Sequence, residues 1–157
     1  MVADNRGDGD ESTDVDRQLA VALFNETWGL LETEDRTHAQ DERMVNAAHA
    51  SRYHWERAGG PEQLAVGDWQ ISRVYSVLGR TEPALHHAGE ALTRAQEHEV
   101  PTWVLASAHE GMARASAVAG DLERARSHAD EARRLANTID DTDDRQVVLD
   151  DLALLSL

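Results

Sequence analysis

The chain has 157 residues and a formal net charge of −15, with 30 acidic and 15 basic residues. Every basic residue is Arg, and neither Lys nor Cys occurs. So acidic a surface repels phosphate and argues against a general nucleic-acid binder. Without Cys there is no disulfide scaffold, thiolate metal site or thiol nucleophile. One domain with a real core is expected at this length.

The N-terminus lacks both the basic leader and the apolar stretch of a secretory signal. No run of about 18 apolar residues occurs, so no membrane-spanning helix is expected, and the expected compartment is the cytoplasm. Residues 1–13 are Asp- and Gly-rich and poor in large apolar side chains. They read as a disordered acidic tail preceding a single helical domain over 14–157.

Seven helices are then expected in chain order. Leu19, Leu23, Phe24, Trp28, Leu30 and Leu31 recur at helical spacing. A break near residues 37–40 precedes a second helix carrying Met44, Ala47, Ala48, Ser51 and Trp55, which Gly59-Gly60-Pro61 stops. The third holds Leu64, Ile71, Val74, Tyr75 and Leu78 and ends at Gly79. Thr81 is the expected N-cap of the fourth, with Pro83 in its first turn and Ala84, Leu85, Ala88, Ala91, Leu92 and Ala95 as its buried stripe. Pro101-Thr102 opens the fifth, which runs to Gly120, and Asp121 caps the sixth. The last begins near Thr142, where Asp140, Asp141, Asp143 and Asp144 oppose the helix dipole. No useful stretch alternates with period two, so the class is all-α.

The chain also matches itself at a shift of 41 residues. Leu23, Leu64 and Leu105 coincide, as do Leu30, Ile71 and Met112. Trp28 falls on Trp69, Gly79 on Gly120, Ala84 on Ala125 and Arg73 on Arg114. A lone helical hairpin cannot bury its apolar face, so copies are expected to stack. This gives three hairpins in an α-α superhelix, with the last helix as a C-terminal cap.

The segment from Trp69 to Leu85 resembles a tetratricopeptide repeat. Tyr75 lies four residues before Gly79, followed by Ala84 and Ala91; Gly120, Ala125 and Ala132 repeat the pattern. The resemblance covers roughly residues 62–136. The period of 41 exceeds the family's usual value of about 34, so each helix is expected to be longer. Ala88 and Ala129 replace an aromatic, and Trp69 stands one residue later than the family's Trp.

The resemblance implies a concave groove lined by the first helix of each pair and says little of function. The threefold repeat without a catalytic constellation leads to a non-catalytic module that binds a peptide or partner protein. The candidate groove residues are Trp28, Glu32, Trp69, Arg73, Glu110 and Arg114. Trp69 and Arg73 share a helix face. Arg73 and Arg114 could together grip a carboxylate or phosphate, with Trp69 as an apolar floor. The plainer reading makes both Trp residues core packing and pairs the Arg residues with local acids. No catalytic residue is assigned: phosphate loop, nucleophile elbow, HExxH and dinucleotide fingerprint are all missing.

No cofactor or metal is assigned either. The alternative function is a small-ligand or metal-binding helical protein using clustered His and Glu. That would need a cross-helix site joining His49 or His54 with His86 or His109, because His49 and His54 do not share a helix face. Leu154, Leu155 and Leu157 near the end of the last helix point to self-association as a homodimer through terminal helices.

Overall fold

The computed structural model describes residues 8–157. It contains seven α-helices and no strand among the described residues: α1 (Asp8–Leu31), α2 (His38–Ala58), α3 (Pro61–Val77), α4 (Thr81–Glu97), α5 (Thr102–Val118), α6 (Leu122–Ala136) and α7 (Thr142–Ala153). None is long and apolar enough to cross a membrane. Residues 8–13 of the expected tail belong to α1, and its remainder lies outside the described residues.

The helix boundaries follow local chemistry. Thr37 caps α2 by accepting from the Gln40 backbone N–H, while the Gln40 side chain accepts from the Thr37 backbone N–H. Pro61 occupies the first position of α3, where a missing N–H costs little. Gly79 and Gly120 follow α3 and α5 with φ of 66° and 81°, a conformation that a Cβ penalises. In each case the next residue donates back across the helix end, Arg80 N–H to Tyr75 O and Asp121 N–H to Ser116 O. Asp121 and Asp141 cap α6 and α7 with their side chains. The expected N-cap Thr81 is instead the first helical residue of α4; Arg80 precedes it and caps with no side-chain bond.

α1 packs on α2, α3 on α4 and α5 on α6; α2 also meets α3, and α4 meets α5. Ala84, Ala88, Ala91 and Ala95 of α4 are buried, as are Ala125, Ala129 and Ala132 of α6. Small side chains at this spacing let neighbouring helices approach closely, so the core is built from alanines with fewer large anchors, chiefly Met44, Ile71, Val74, Val104 and Met112. α3 also touches α5 directly, and α7 lies against α5 and α6. Val148 and Leu152 of α7 join a core cluster with Ala129, Ala132 and Leu135.

Candidate functional site

Five of the six candidate groove residues converge. Trp69 on α3 is 6% exposed, and its indole N–H donates to Glu110 Oε2 on α5 at 2.8 Å. Glu110 is 1% exposed, and its other carboxylate oxygen accepts from Arg114 Nε at 2.8 Å. A buried carboxylate needs such partners, since an unpaired charge in a low-dielectric interior is costly. Close packing makes the contact possible: a Cβ on Gly111 would sit 2.9 Å from Trp69 Cδ1.

Arg73, one turn beyond Trp69, turns inward. Its guanidinium lies 4.9 Å from the Trp28 ring centroid and 5.9 Å from that of Trp69, within cation–π range. The two Trp rings are themselves 5.7 Å apart. Arg73 Nη1 donates to Asp151 Oδ1 of α7 at 2.6 Å, and Arg114 Nη2 donates to the Asp151 backbone carbonyl at 3.2 Å.

These positions favour the plainer sequence reading, in which the Trp residues pack in the core and the Arg residues pair with the chain's own acids. Trp69 is no exposed apolar floor; it is buried and spends its N–H on Glu110. A carboxylate does stand by the two Arg residues, but it is the chain's own Asp151. Glu32 lies just past the end of α1 and is exposed, away from the network.

Beside this closed network lies an open cleft of about 160 Å³ that the sequence reading missed. It is lined mainly by apolar side chains: Val21 and Phe24 of α1, Trp55 of α2, Val66 of α3 and Trp103 of α5, with Glu62 and Gln63 beside them. Val21, Glu62 and Trp103 follow the same 41-residue spacing as Trp28, Trp69 and Glu110, which was the available signal. Trp55 has no counterpart in that spacing and emerges only from packing.

The histidines form other pairs than those the metal-binding alternative would need. His49 bonds to the Tyr75 hydroxyl at 2.9 Å and packs edge-on against His87, not His86. His87 Nδ1 lies 3.0 Å from Asp68 Oδ1, and Arg52 Nε donates to Asp68 Oδ2 at 3.1 Å. Burial of Asp68, 3% exposed, pushes its pKa up, but the His87 bond and the Arg52 charge outweigh this and leave it below the ordinary value. His54 pairs with Asp16 on α1 at 2.7 Å, and His109 with His128 on α6 at 3.0 Å. Among the described residues no three His, Asp or Glu side chains converge as a metal site would require.

Compared with known proteins, the chain matches no protein-family model, no curated protein and no solved structure.

Proposed function

We propose that the protein is a non-catalytic interaction module of tetratricopeptide-like design. In this reading α1, α3 and α5 face a common groove that holds a peptide or partner helix. The observation that carries it is the open, aromatic-lined cleft contributed by all three of those helices together with Trp55. Partly exposed Trp and Phe side chains gathered around one hollow suit an apolar anchor residue of a partner, because aromatic anchors dominate interface energetics. Glu62 beside the cleft favours a cationic residue next to that anchor. The all-helical frame supports such a role, since repeats of packed hairpins present extended surfaces.

A displayed random-peptide library tests this with the intact protein. Selected peptides should share an apolar residue at one position and bind the Val66→Glu variant at least ten-fold more weakly. Failure to enrich any common pattern, or equal binding by a folded Val66→Glu variant, would remove the reading.

A further inference from the structure

We propose that Arg73 and Arg114 form a receptor for the acidic C-terminal turn of a partner helix, and that α7 occupies this receptor in cis. The proposal rests on the interaction-module reading and supplies its partner with a chemistry.

The charges make the case. The site contains two cations, Arg73 and Arg114, and two anions, Glu110 and Asp151. Glu110 is committed to Trp69 and Arg114. Arg73, 13% exposed at its side chain, has Asp151 as its ion-pair partner, and no other ion pair of Arg73 occurs among the described residues. Without Asp151, a largely desolvated guanidinium over Trp28 would lack a counter-charge. The position therefore requires a carboxylate.

A helix end is recognised as well. Asp151 lies in the last turn of α7, and its backbone carbonyl accepts from the Leu154 N–H at 3.3 Å. Arg114 Nη2 donates to the same carbonyl at 3.2 Å, a second donor at the helix end. Two planar guanidiniums thus read a side-chain carboxylate and a terminal carbonyl together, a match to helix C-terminal polarity.

α7 is the element best suited to exchange. At 12 residues it is the shortest helix, and Val148 and Leu152 are its buried side chains. Val148, Asp151 and Leu152 stand at i, i+3 and i+4 on one face. The partner helix accordingly carries an apolar residue, then an acid three positions later with an apolar residue directly after it, close to its C-terminal end.

The test uses the full chain with Val148→Ala and Leu152→Ala together, which loosens α7 and leaves Asp151 in place. The probe is a fluorescein-labelled synthetic peptide of residues 141–157, read by anisotropy. The loosened variant should bind it at least ten-fold more tightly than the unaltered protein does. The same peptide carrying Asp151→Asn should bind at least ten-fold more weakly, and so should the loosened variant with Arg73→Gln added. Equal affinity for the Asp and Asn peptides overturns the proposal, as does no binding by a variant whose circular dichroism remains helical. A concentration-dependent dimer that excludes the peptide also overturns it, because the occupant is then a second copy. If the double variant does not fold, full-length Asp151→Asn replaces it. Amide exchange in α7 should then rise at least ten-fold with α3 and α5 unchanged, and unchanged α7 exchange overturns the proposal. Success of the library selection at the Trp103 cleft with failure here would leave the interaction-module reading standing and remove the receptor alone.

Discussion

Trp69 and Glu110 are 41 residues apart in sequence and are joined by a 2.8 Å hydrogen bond buried between α3 and α5. The separation equals the shift at which the sequence matches itself. The bond ties a large aromatic to a buried carboxylate, and the carboxylate in turn anchors Arg114.

Glu110→Ala should therefore be among the most damaging single substitutions. It leaves the buried Trp69 N–H without its acceptor and the Arg114 guanidinium without its counter-charge, a loss of about 3–5 kcal/mol. Glu110→Gln keeps an acceptor for Trp69 and should cost less, about 1.5–3 kcal/mol for the lost charged hydrogen bond to Arg114. Urea unfolding of both variants measures the order; equal costs would show that the lost charge accounts for the effect and the neutral bond to Trp69 contributes little.

Much of this frame was legible in the sequence, for physical reasons that stop at α7. Gly59-Gly60-Pro61 and Gly79 terminate helices through backbone sterics that need no tertiary context. The alanine stripe of α4 marks its buried face because periodicity is local. Trp69 and Arg73 share a face for the same reason. Asp151 was not legible. α7 carries Asp143, Asp144, Asp150 and Asp151, and only its docking against α5 selects Asp151. The pairing of Asp68 with His87, and of His54 with Asp16, likewise depends on how separate helices register.

Glycine substitutions separate close packing from helix propensity. Gly111→Ala places a methyl 2.9 Å from Trp69 Cδ1, so the indole must move and strain its bond to Glu110. Overpacking of this kind costs about 1–3 kcal/mol. Gly29→Ala in α1 and Gly89→Ala in α4 meet nothing within 4 Å, and should stabilise by about 0.5–1 kcal/mol through helix propensity. Melting temperatures of the three variants check the split. A neutral Gly111→Ala would show that Trp69 has room to shift.

The C-terminal turns of α3 and α5 give a paired prediction. Gly79→Ala and Gly120→Ala meet no neighbouring atom, so any cost arises from their positive φ rather than from contacts. Each should destabilise by about 1–2 kcal/mol. The effects should add, because the two turns belong to separate hairpins. Thermal unfolding of the single and double variants measures this, and a marked departure from additivity would reveal coupling between the two turns.

Acid should weaken the fold in two separate steps. His109 and His128 are both held below the ordinary histidine value of 6.5, His109 by burial and then by the adjacent His128, and His128 by burial and then by Arg124. His49 is lowered by burial and then by His87. A folded pKa below the unfolded one means that the unfolded chain binds more protons, so this contribution is complete above about pH 6.5 and fades as pH falls. Asp16 is lowered by hydrogen bonds from His54 and Arg57. Its contribution is complete above the ordinary Asp value of 3.8 and is lost only in stronger acid, as pH falls through its folded pKa. Stability measured by urea titration should thus decline first below pH 6.5 and again below pH 4. The double substitution His109→Gln with His128→Gln should shrink the first decline and leave the second. Asp16→Asn should do the reverse. An unchanged first decline in the histidine double variant would place the responsible protons elsewhere.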